Sequence, residues 1–306
     1  MLDTVFAAMI MTAAVSCEIL DNDPDKHVKD EDSTYVGLEE VAEIISLIPL
    51  QTSQLDEVHT AVTSSSGNGY DEEYTMKHLF ESPGAGVGDE QTRSAEAYDR
   101  PLRELIEDQV RKMHMTRSGE DGLDPDLFLD ELMKSDIQIY WPFSENWDGE
   151  SLPVITFDPE DGSEKNFGYR MVMEDDGSRR VEEVVVDEAM AEVEPVWVIN
   201  RNSDAGYATL EMLRREHPDW GEGGGTIIVR PSGQDQRETR VESSVKALIL
   251  KDFTMNRSYD SWFAGASEFF VKTGAVEDFT ASTEAELRLY SPTITDFLIV
   301  VKRSQI

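Results

Sequence analysis

The sequence predicts an α+β fold in three parts: a helical N-terminal domain, a mixed α/β middle region and an antiparallel β-sandwich-like C-terminal region. Apolar residues recur with helical spacing up to about residue 135, and from Ile137 onward short apolar runs alternate with turn residues. The chain has 306 residues, of which 39% are hydrophobic. This is enough material for a buried core and, as a prior, for about two domains.

Residues 37–135 are predicted to form the helical domain. Leu38, Val41 and Ile45 fall on one helix face, and Asp124-Pro125 is typical of a helix start, with an N-cap followed by proline. Further expectations are a helix beginning near Ser53, a loop at 64–69, a helix over 72–80 and an apolar stripe formed by Leu102, Leu105, Ile106, Val110 and Met113.

Residues 136–232 are predicted to form the mixed region. Asp158-Pro-Glu-Asp-Gly162 and Asp175-Asp-Gly177 are typical of turns in antiparallel hairpins. The expected strands are 137–143, 152–157, 167–173 and 181–186, followed by one βαβ unit made of strand 196–200, helix 207–216 and strand 226–230.

Residues 240–306 are predicted to form a small sandwich or open barrel. Short apolar runs recur here without any helical spacing, as in antiparallel sheets. The expected strands are 247–255, 268–272, 286–290 and 297–302.

The charge is extreme. The chain has 63 Asp and Glu against 27 Lys and Arg, which gives a formal net charge of −36. A nucleic-acid-binding protein needs a positive surface for phosphates, so nucleic acid is excluded as a partner. Dense surface carboxylates with few Lys are typical of proteins from salt-rich environments, where they keep the surface hydrated. An acidic protein of an ordinary habitat, with acids placed for solubility, is the alternative.

The N-terminus contains the clearest targeting signal of the sequence. An apolar run of about ten residues ends at Ala14-Val15-Ser16-Cys17, and Cys17 is the single cysteine of the chain. This arrangement resembles the signal peptide and lipobox of bacterial lipoproteins, and the acidic residues after Cys17 resemble those of Bacteroidota surface lipoproteins. The resemblance implies a signal peptide over 1–17, lipidation of Cys17 and a flexible acidic tether over 18–36.

A lipidated Cys17 implies a location in the cell envelope, on the outer membrane or cell surface, with the membrane as a partner through the N-terminal lipid. The alternative is a buried cysteine at the end of a short apolar helix.

No motif identifies an enzyme. The sequence has no Gly-x-Ser-x-Gly and no His-Glu-x-x-His, and its one cysteine belongs to the leader. We therefore expect a binding or structural module. The alternative is a secreted hydrolase, with or without a metal, whose site is assembled from the helical domain and the middle strands. For a metal site, the candidate ligands are His59, His78 and His114, converging with a carboxylate of the helical domain.

One segment is a candidate calcium-binding site. Asp252, Asp260 and Glu268 stand among apolar and aromatic residues between two predicted strands. Carboxylates are costly to bury unless they are paired or bound to a metal, and Ca²⁺ prefers oxygen ligands. Salt bridges, caps or plain exposure of these carboxylates are the alternative.

A second candidate site is aromatic. Tyr140, Trp141 and Trp147 lie within eight residues, beside Asn and acidic residues. Exposed rings flanked by hydrogen-bonding groups can stack on sugars, so a glycan or an envelope protein is the expected partner. The alternative is that these rings close the core between two domains.

Replacing Cys17 with Ser should move the protein from the membrane fraction to the soluble fraction, because the lipid is attached through the thiol. Fractionation followed by immunoblotting measures this. Ser16→Ala keeps a small residue before the cysteine and should leave the protein with the membranes. Unchanged partitioning of Cys17→Ser would contradict the lipoprotein hypothesis.

Calcium at constant ionic strength should raise the melting temperature, on the order of a few degrees, because a ligand that binds only the folded state stabilises it. Asp260→Asn should abolish that shift, and Asp126→Asn, which removes the same charge elsewhere, should retain it. Absence of any calcium effect on the unaltered protein would overturn the calcium hypothesis.

Overall fold

The computed structural model describes residues 8–15, 36–81, 98, 100–116, 124–174, 177–204, 206–216, 254–255, 257–258, 260–276 and 294–305. Within these residues the fold is mixed α/β, with a six-stranded mixed sheet and a three-stranded antiparallel sheet. The described chain contains no helix that is long and apolar enough to cross a membrane.

The helices are α1 (Leu38–Ser46), α2 (Thr52–Gly67), α3 (Met76–Phe80), α4 (Leu102–Thr116), α5 (Pro125–Lys134), α6 (Glu188–Ala191) and α7 (Leu210–Glu216). The strands are β1 (Ala8–Val15), β2 (Glu73–Thr75), β3 (Ile137–Tyr140), β4 (Val154–Phe157), β5 (Lys165–Met173), β6 (Arg179–Asp187), β7 (Val196–Arg201), β8 (Ser267–Val276) and β9 (Ile294–Val301).

The helix ends follow local chemistry. Asp124 caps α5 by accepting the Asp126 N–H, as the Asp-Pro pair predicts. Helix α2 begins at a capping box in which Gln51 and Gln54 bond each other's backbone N–H, two residues before the predicted Ser53 start. The helix continues to Gly67, so the loop predicted at 64–69 was wrong over most of its length.

The large sheet has the order β2-β3-β7-β4-β5-β6. Strands β4 and β7 are parallel, whereas the other neighbours, including the predicted hairpins β4–β5 and β5–β6, are antiparallel. Strand β2 replaces the first part of the helix predicted over 72–80, because Glu73–Thr75 pairs with β3, a partner distant in sequence.

Both faces of the central strands are covered. Trp197 and Ile199 pack in one core cluster with Ile45 of α1, whereas Val196 and Val198 pack with Trp262 in a second cluster behind the sheet. Burial on both faces explains why β7 reads as a continuous apolar run instead of an alternating one. The helices of residues 37–135 and the sheet therefore share a core.

The small sheet has the order β1-β8-β9, with Ala8 opposite Val276 and Gly274 opposite Ile294. Its strand β1 coincides with the apolar run of the predicted signal peptide. Buried Asn200 fastens the segment before β8 to the large sheet, because its Nδ2 donates to the carbonyl oxygens of Phe263 and Ala264 at 2.9 and 3.0 Å.

Several predicted strands lie outside the described residues: 226–230, 286–290 and all but the last two residues of 247–255. Cys17 and most of the predicted tether also lie outside them. Strands β8 and β9 confirm the strands predicted over 268–272 and 297–302.

Candidate functional site

Three consecutive acidic residues are buried where the chain leaves α2 and enters β2. The exposed fractions of Asp71, Glu72 and Glu73 are 3%, 2% and 9%. Burying a carboxylate costs free energy unless hydrogen bonds or opposite charges compensate it. Acidic groups with strongly perturbed pKa values cluster at functional sites, so this turn is a candidate functional site.

Each of the three carboxylates contacts a different part of the fold. Asp71 accepts the backbone N–H of Ala266, just before β8, at 2.7 Å. Glu72 accepts both the hydroxyl of Ser144 at 2.7 Å and its backbone N–H at 3.2 Å. Glu73 accepts the amide Nδ2 of Asn202, after β7, at 3.0 Å. The acidic turn therefore connects both sheets.

Two further carboxylates join this region. Asp204, on the loop between β7 and α7, is 2% exposed. Glu268, at the start of β8, accepts the Ser203 hydroxyl with both carboxylate oxygens, at 3.0 and 2.9 Å. Each of these two carboxylates repels Glu73. We call Asp71, Glu73, Asp204 and Glu268 the carboxylate cluster.

Burial raises the pKa of every member of the cluster, and mutual repulsion adds to this at Glu73, Asp204 and Glu268. Burial raises the pKa of Asp204 to about 6, and burial together with repulsion from Asp204 raises the pKa of Glu268 to about 8. The pKa of Glu73 is raised well above its usual value by burial and then by Asp204, and burial raises the pKa of Asp71. At neutral pH Glu268 therefore keeps its proton, whereas Asp204 is ionised.

No described Lys or Arg forms an ion pair with the cluster. Lys302 and Arg303 attract Asp71 only at longer range. The Arg303 guanidinium instead donates to the backbone oxygens of Asp260 and Gly265, at 2.6 and 3.2 Å. The cluster therefore has little compensating positive charge, so its carboxyls hold their protons more tightly than exposed carboxyls do.

A cleft of about 350 Å³ opens over part of this cluster. Its floor contains Glu73, Asn202 and Asp204, and its rim contains Lys77 and His78 of α3. The remaining lining comes from the C-terminal half of α2 and the turn after it, from β2, from the turn before β3, and from α7 with the loop before it. These residues are Ala61, Ser65, Asn68, Tyr70, Tyr74, Thr75, Ser135, Asp136, Gly206, Met212 and Arg215. Known small-molecule sites begin at about this size.

Two acceptor atoms at the floor have no hydrogen-bond partner among the described residues: Asp204 Oδ2 and Asn202 Oδ1. The orientation of the Asn202 amide is defined, because its Nδ2 donates to Glu73 and, at 2.7 Å, to Gln138 Oε1. Buried acceptors without partners are rare in folded proteins. Their presence at a cleft floor indicates a place for a donor supplied from outside.

The wall formed by α7 is held closely against the end of α2. Thr209 Oγ1 donates to the Asn68 carbonyl, and Arg215 Nη1 donates to Asn68 Oδ1 at 2.8 Å. Gly69 has φ +86°, a backbone conformation that favours glycine. A Cβ there would also displace the Glu211 side chain, which packs against this turn.

The predicted calcium ligands are only partly brought together. Asp260 is close enough to Glu268 to raise the pKa of that carboxyl, whereas Asp252 lies outside the described residues. In the described part of the chain, no group of three His, Cys, Asp or Glu side chains is arranged to hold a metal ion. The calcium site remains a prediction.

The predicted aromatic site is divided between two faces of the sheet. Tyr140 and Trp141 are each 1% exposed, and they belong to the second and the first core cluster, respectively. The Trp141 and Trp147 rings meet edge-on, with centroids 5.3 Å apart. Trp147 is half-buried, and with Trp141 and Phe143 it lines a separate cavity of about 150 Å³. Glycan binding stays a prediction.

Sequence reasoning missed Asp71, Glu73 and Asp204. The available signal was Tyr70-Asp-Glu-Glu-Tyr74, three acids between two tyrosines in a predicted helix start. In a chain with 63 acidic residues, such a run does not by itself indicate a functional site.

The fold and the cleft define a mixed α/β protein with an acid-lined cavity at the edge of its large sheet. The chain has no significant match to a protein family, a curated protein or a solved structure.

Glu72→Gln should make stability less dependent on pH. Burial raises the pKa of Glu72 from an ordinary value near 4.5 to about 8. The folded protein thus binds this proton more tightly than the unfolded chain, so its contribution to stability is complete at low pH and is lost as pH rises through 8. At its steepest the loss is about 1.4 kcal/mol per pH unit for one proton. Gln can accept the Ser144 bonds without ionising.

Denaturant unfolding at pH 6, 7, 8 and 9 measures this effect. The free energy of unfolding should fall less steeply for Glu72→Gln than for the unaltered protein. Glu150→Gln removes the same charge from an exposed loop and should keep the original slope. Identical slopes for Glu72→Gln and the unaltered protein would show that Glu72 ionises normally.

Proposed function

We propose that the protein is a binding module of the cell envelope, anchored through a lipid on Cys17, whose acid-lined cleft takes up a small polar molecule. The sequence favours a binding or structural module. The cleft supports this proposal, because it offers a specific site for a ligand.

One observation carries the proposal: Asp204 is 2% exposed, and its Oδ2 has no partner among the described residues at the floor of a cavity of about 350 Å³. Such an atom, if never paired, costs about 1–3 kcal/mol of stability. A bound ligand that supplies a donor removes this cost, which is the usual logic of a polar anchor in a small-molecule site.

The walls fit a binding role. Ala61 and Met212 give the cleft apolar surface, while Ser65 and Asn68 add polar groups. A mostly apolar cavity with a few convergent polar atoms is typical of small-molecule sites. The hydrogen bonds between Asn68 and α7 keep the cleft open in a defined shape.

A hydrolase is the second candidate function, and one observation favours it. His78 lines the same cleft as Glu73 and Asp204, so a histidine and two buried carboxylates surround one cavity. Carboxyls with raised pKa values can act as general acids near neutral pH. Turnover distinguishes the two functions, because a hydrolase converts ester or glycoside fragments that a binding module returns unchanged.

Four finer parts of the proposal rest on the sequence. These are stabilisation by Ca²⁺, contact with an envelope glycan or protein, salt adaptation, and division of the chain into parts 37–135, 136–232 and 240–306. The −36 charge supports salt adaptation, and the proximity of Asp260 to Glu268 supports a cation near β8.

Methyl-labelled methionine gives a direct test, because Met212 lines the cleft and Met173, on β5, is 55% exposed elsewhere. A set of small polar fragments of all charge types, titrated at constant ionic strength, should shift the Met212 methyl resonance saturably. The Met173 resonance should remain in place, since that side chain does not line the cleft.

Met212→Leu identifies the reporter signal while nearly conserving the volume of the side chain. The proposal predicts at least one fragment with a dissociation constant below about 10 mM, which corresponds to a binding free energy of roughly −3 kcal/mol. If fragments of every charge type leave Met212 unshifted, the cleft is not a binding site.

A further inference from the structure

The unpaired atoms of the cleft floor are all of one kind. Asp204 Oδ2 and Asn202 Oδ1 both accept hydrogen bonds, and neither has a partner among the described residues. A carboxylate oxygen and an amide oxygen from two residues of one cleft floor match a ligand that donates at least two N–H or O–H groups.

Charge narrows the choice of ligand. Asp204 is repelled by Asp71, and Glu73 is repelled by Asp204, Asp71 and Glu268. A positive ligand at the floor would relieve this repulsion, whereas a negative one would increase it. The net charge of −36 also draws cations toward the surface and disfavours anions.

The size of the cavity favours an organic cation over a bare metal ion as the ligand. The cavity of about 350 Å³ holds far more than one ion, and its walls include the apolar side chains of Ala61 and Met212. No three acidic or histidine side chains among the described residues are arranged as metal ligands. A cation with a short hydrocarbon part can donate hydrogen bonds to the acceptors of the floor and can contact the apolar side chains of the walls.

We infer that the cleft is specific for a small organic cation, an alkylammonium or guanidinium compound, whose N–H groups donate to Asp204 Oδ2 and Asn202 Oδ1 while its hydrocarbon part contacts Ala61 and Met212. This inference rests on the proposed binding function and names the chemical class of its ligand. Glu73 acts as a positioning residue, because its carboxylate accepts the Asn202 Nδ2 and so holds the Asn202 amide in its orientation at the cleft floor.

Three probes of equal chain length test the inference on the unaltered protein: butylammonium, 1-butanol and butyrate. Each is titrated at constant ionic strength, with the Met212 methyl resonance as the reporter. Butylammonium should bind at least about tenfold more tightly than 1-butanol, as expected for a charge-assisted hydrogen bond, and butyrate should cause no saturable shift. Guanidinium and urea form a second matched pair, with guanidinium the tighter.

Two variants locate the effect. Asp204→Asn conserves the shape of the side chain and should weaken butylammonium binding about tenfold while changing 1-butanol binding by less than about threefold. Asp126, on α5, does not line the cleft, and its side chain is 82% exposed. Asp126→Asn removes the same charge and should therefore leave the dissociation constant for butylammonium within about threefold of the original.

The outcomes are distinct. Equal or tighter binding of 1-butanol or butyrate at Met212 overturns the cation inference and leaves the binding function standing. No shift with any probe overturns both. A shift of Met173 and Met212 together, without saturation, shows that the cation is attracted only by the overall charge and also overturns the inference. The comparison of the three probes on the unaltered protein tests the cation inference even if Asp204→Asn fails to fold.

Discussion

The burial of Asp71, Glu72 and Glu73 at one turn is the constraint on which the rest of the structure depends. Asp71 binds the backbone ahead of β8, Glu72 binds the turn at Ser144, and Glu73 orients Asn202. Three parts of the chain that are distant in sequence therefore meet at three neighbouring side chains. Because buried carboxylates are costly, the two apolar clusters on either face of the large sheet must supply the stability that keeps them there.

Two populations of acidic residues have different physical roles in this protein. Exposed acids on the surface are screened by salt and act together on solubility. The few acids of the carboxylate cluster are removed from water, and for that reason their pKa values rise and they can respond to a ligand or a proton. The net charge of −36 reflects mainly the exposed acids and does not indicate which few acids are buried.

Local sequence predicted much of the fold because the signals involved are short-range. The Asp124 cap, the α1 stripe and the hairpin turns each depend on residues a few positions apart. The prediction of a helix over 72–80 was wrong only in its first part, where Glu73–Thr75 is a strand because β3 pairs with it from more than sixty residues away. Local sequence also did not indicate that Tyr140 and Trp141, neighbours along the chain, face opposite sides of the sheet.

The sequence by itself determined the mixed content of helix and strand, because composition and periodicity are properties of a linear chain. For the same reason it supplied two expectations: that nucleic acid is not a partner and that a lipid is attached at Cys17. Only the tertiary structure decided which carboxylates matter. Among 63 acids, Glu73 and Asp204 are separated from the others by burial, and Asp204 also by an oxygen without a partner among the described residues. Burial is a property of contacts between distant segments, so no count or spacing along the chain could have identified them.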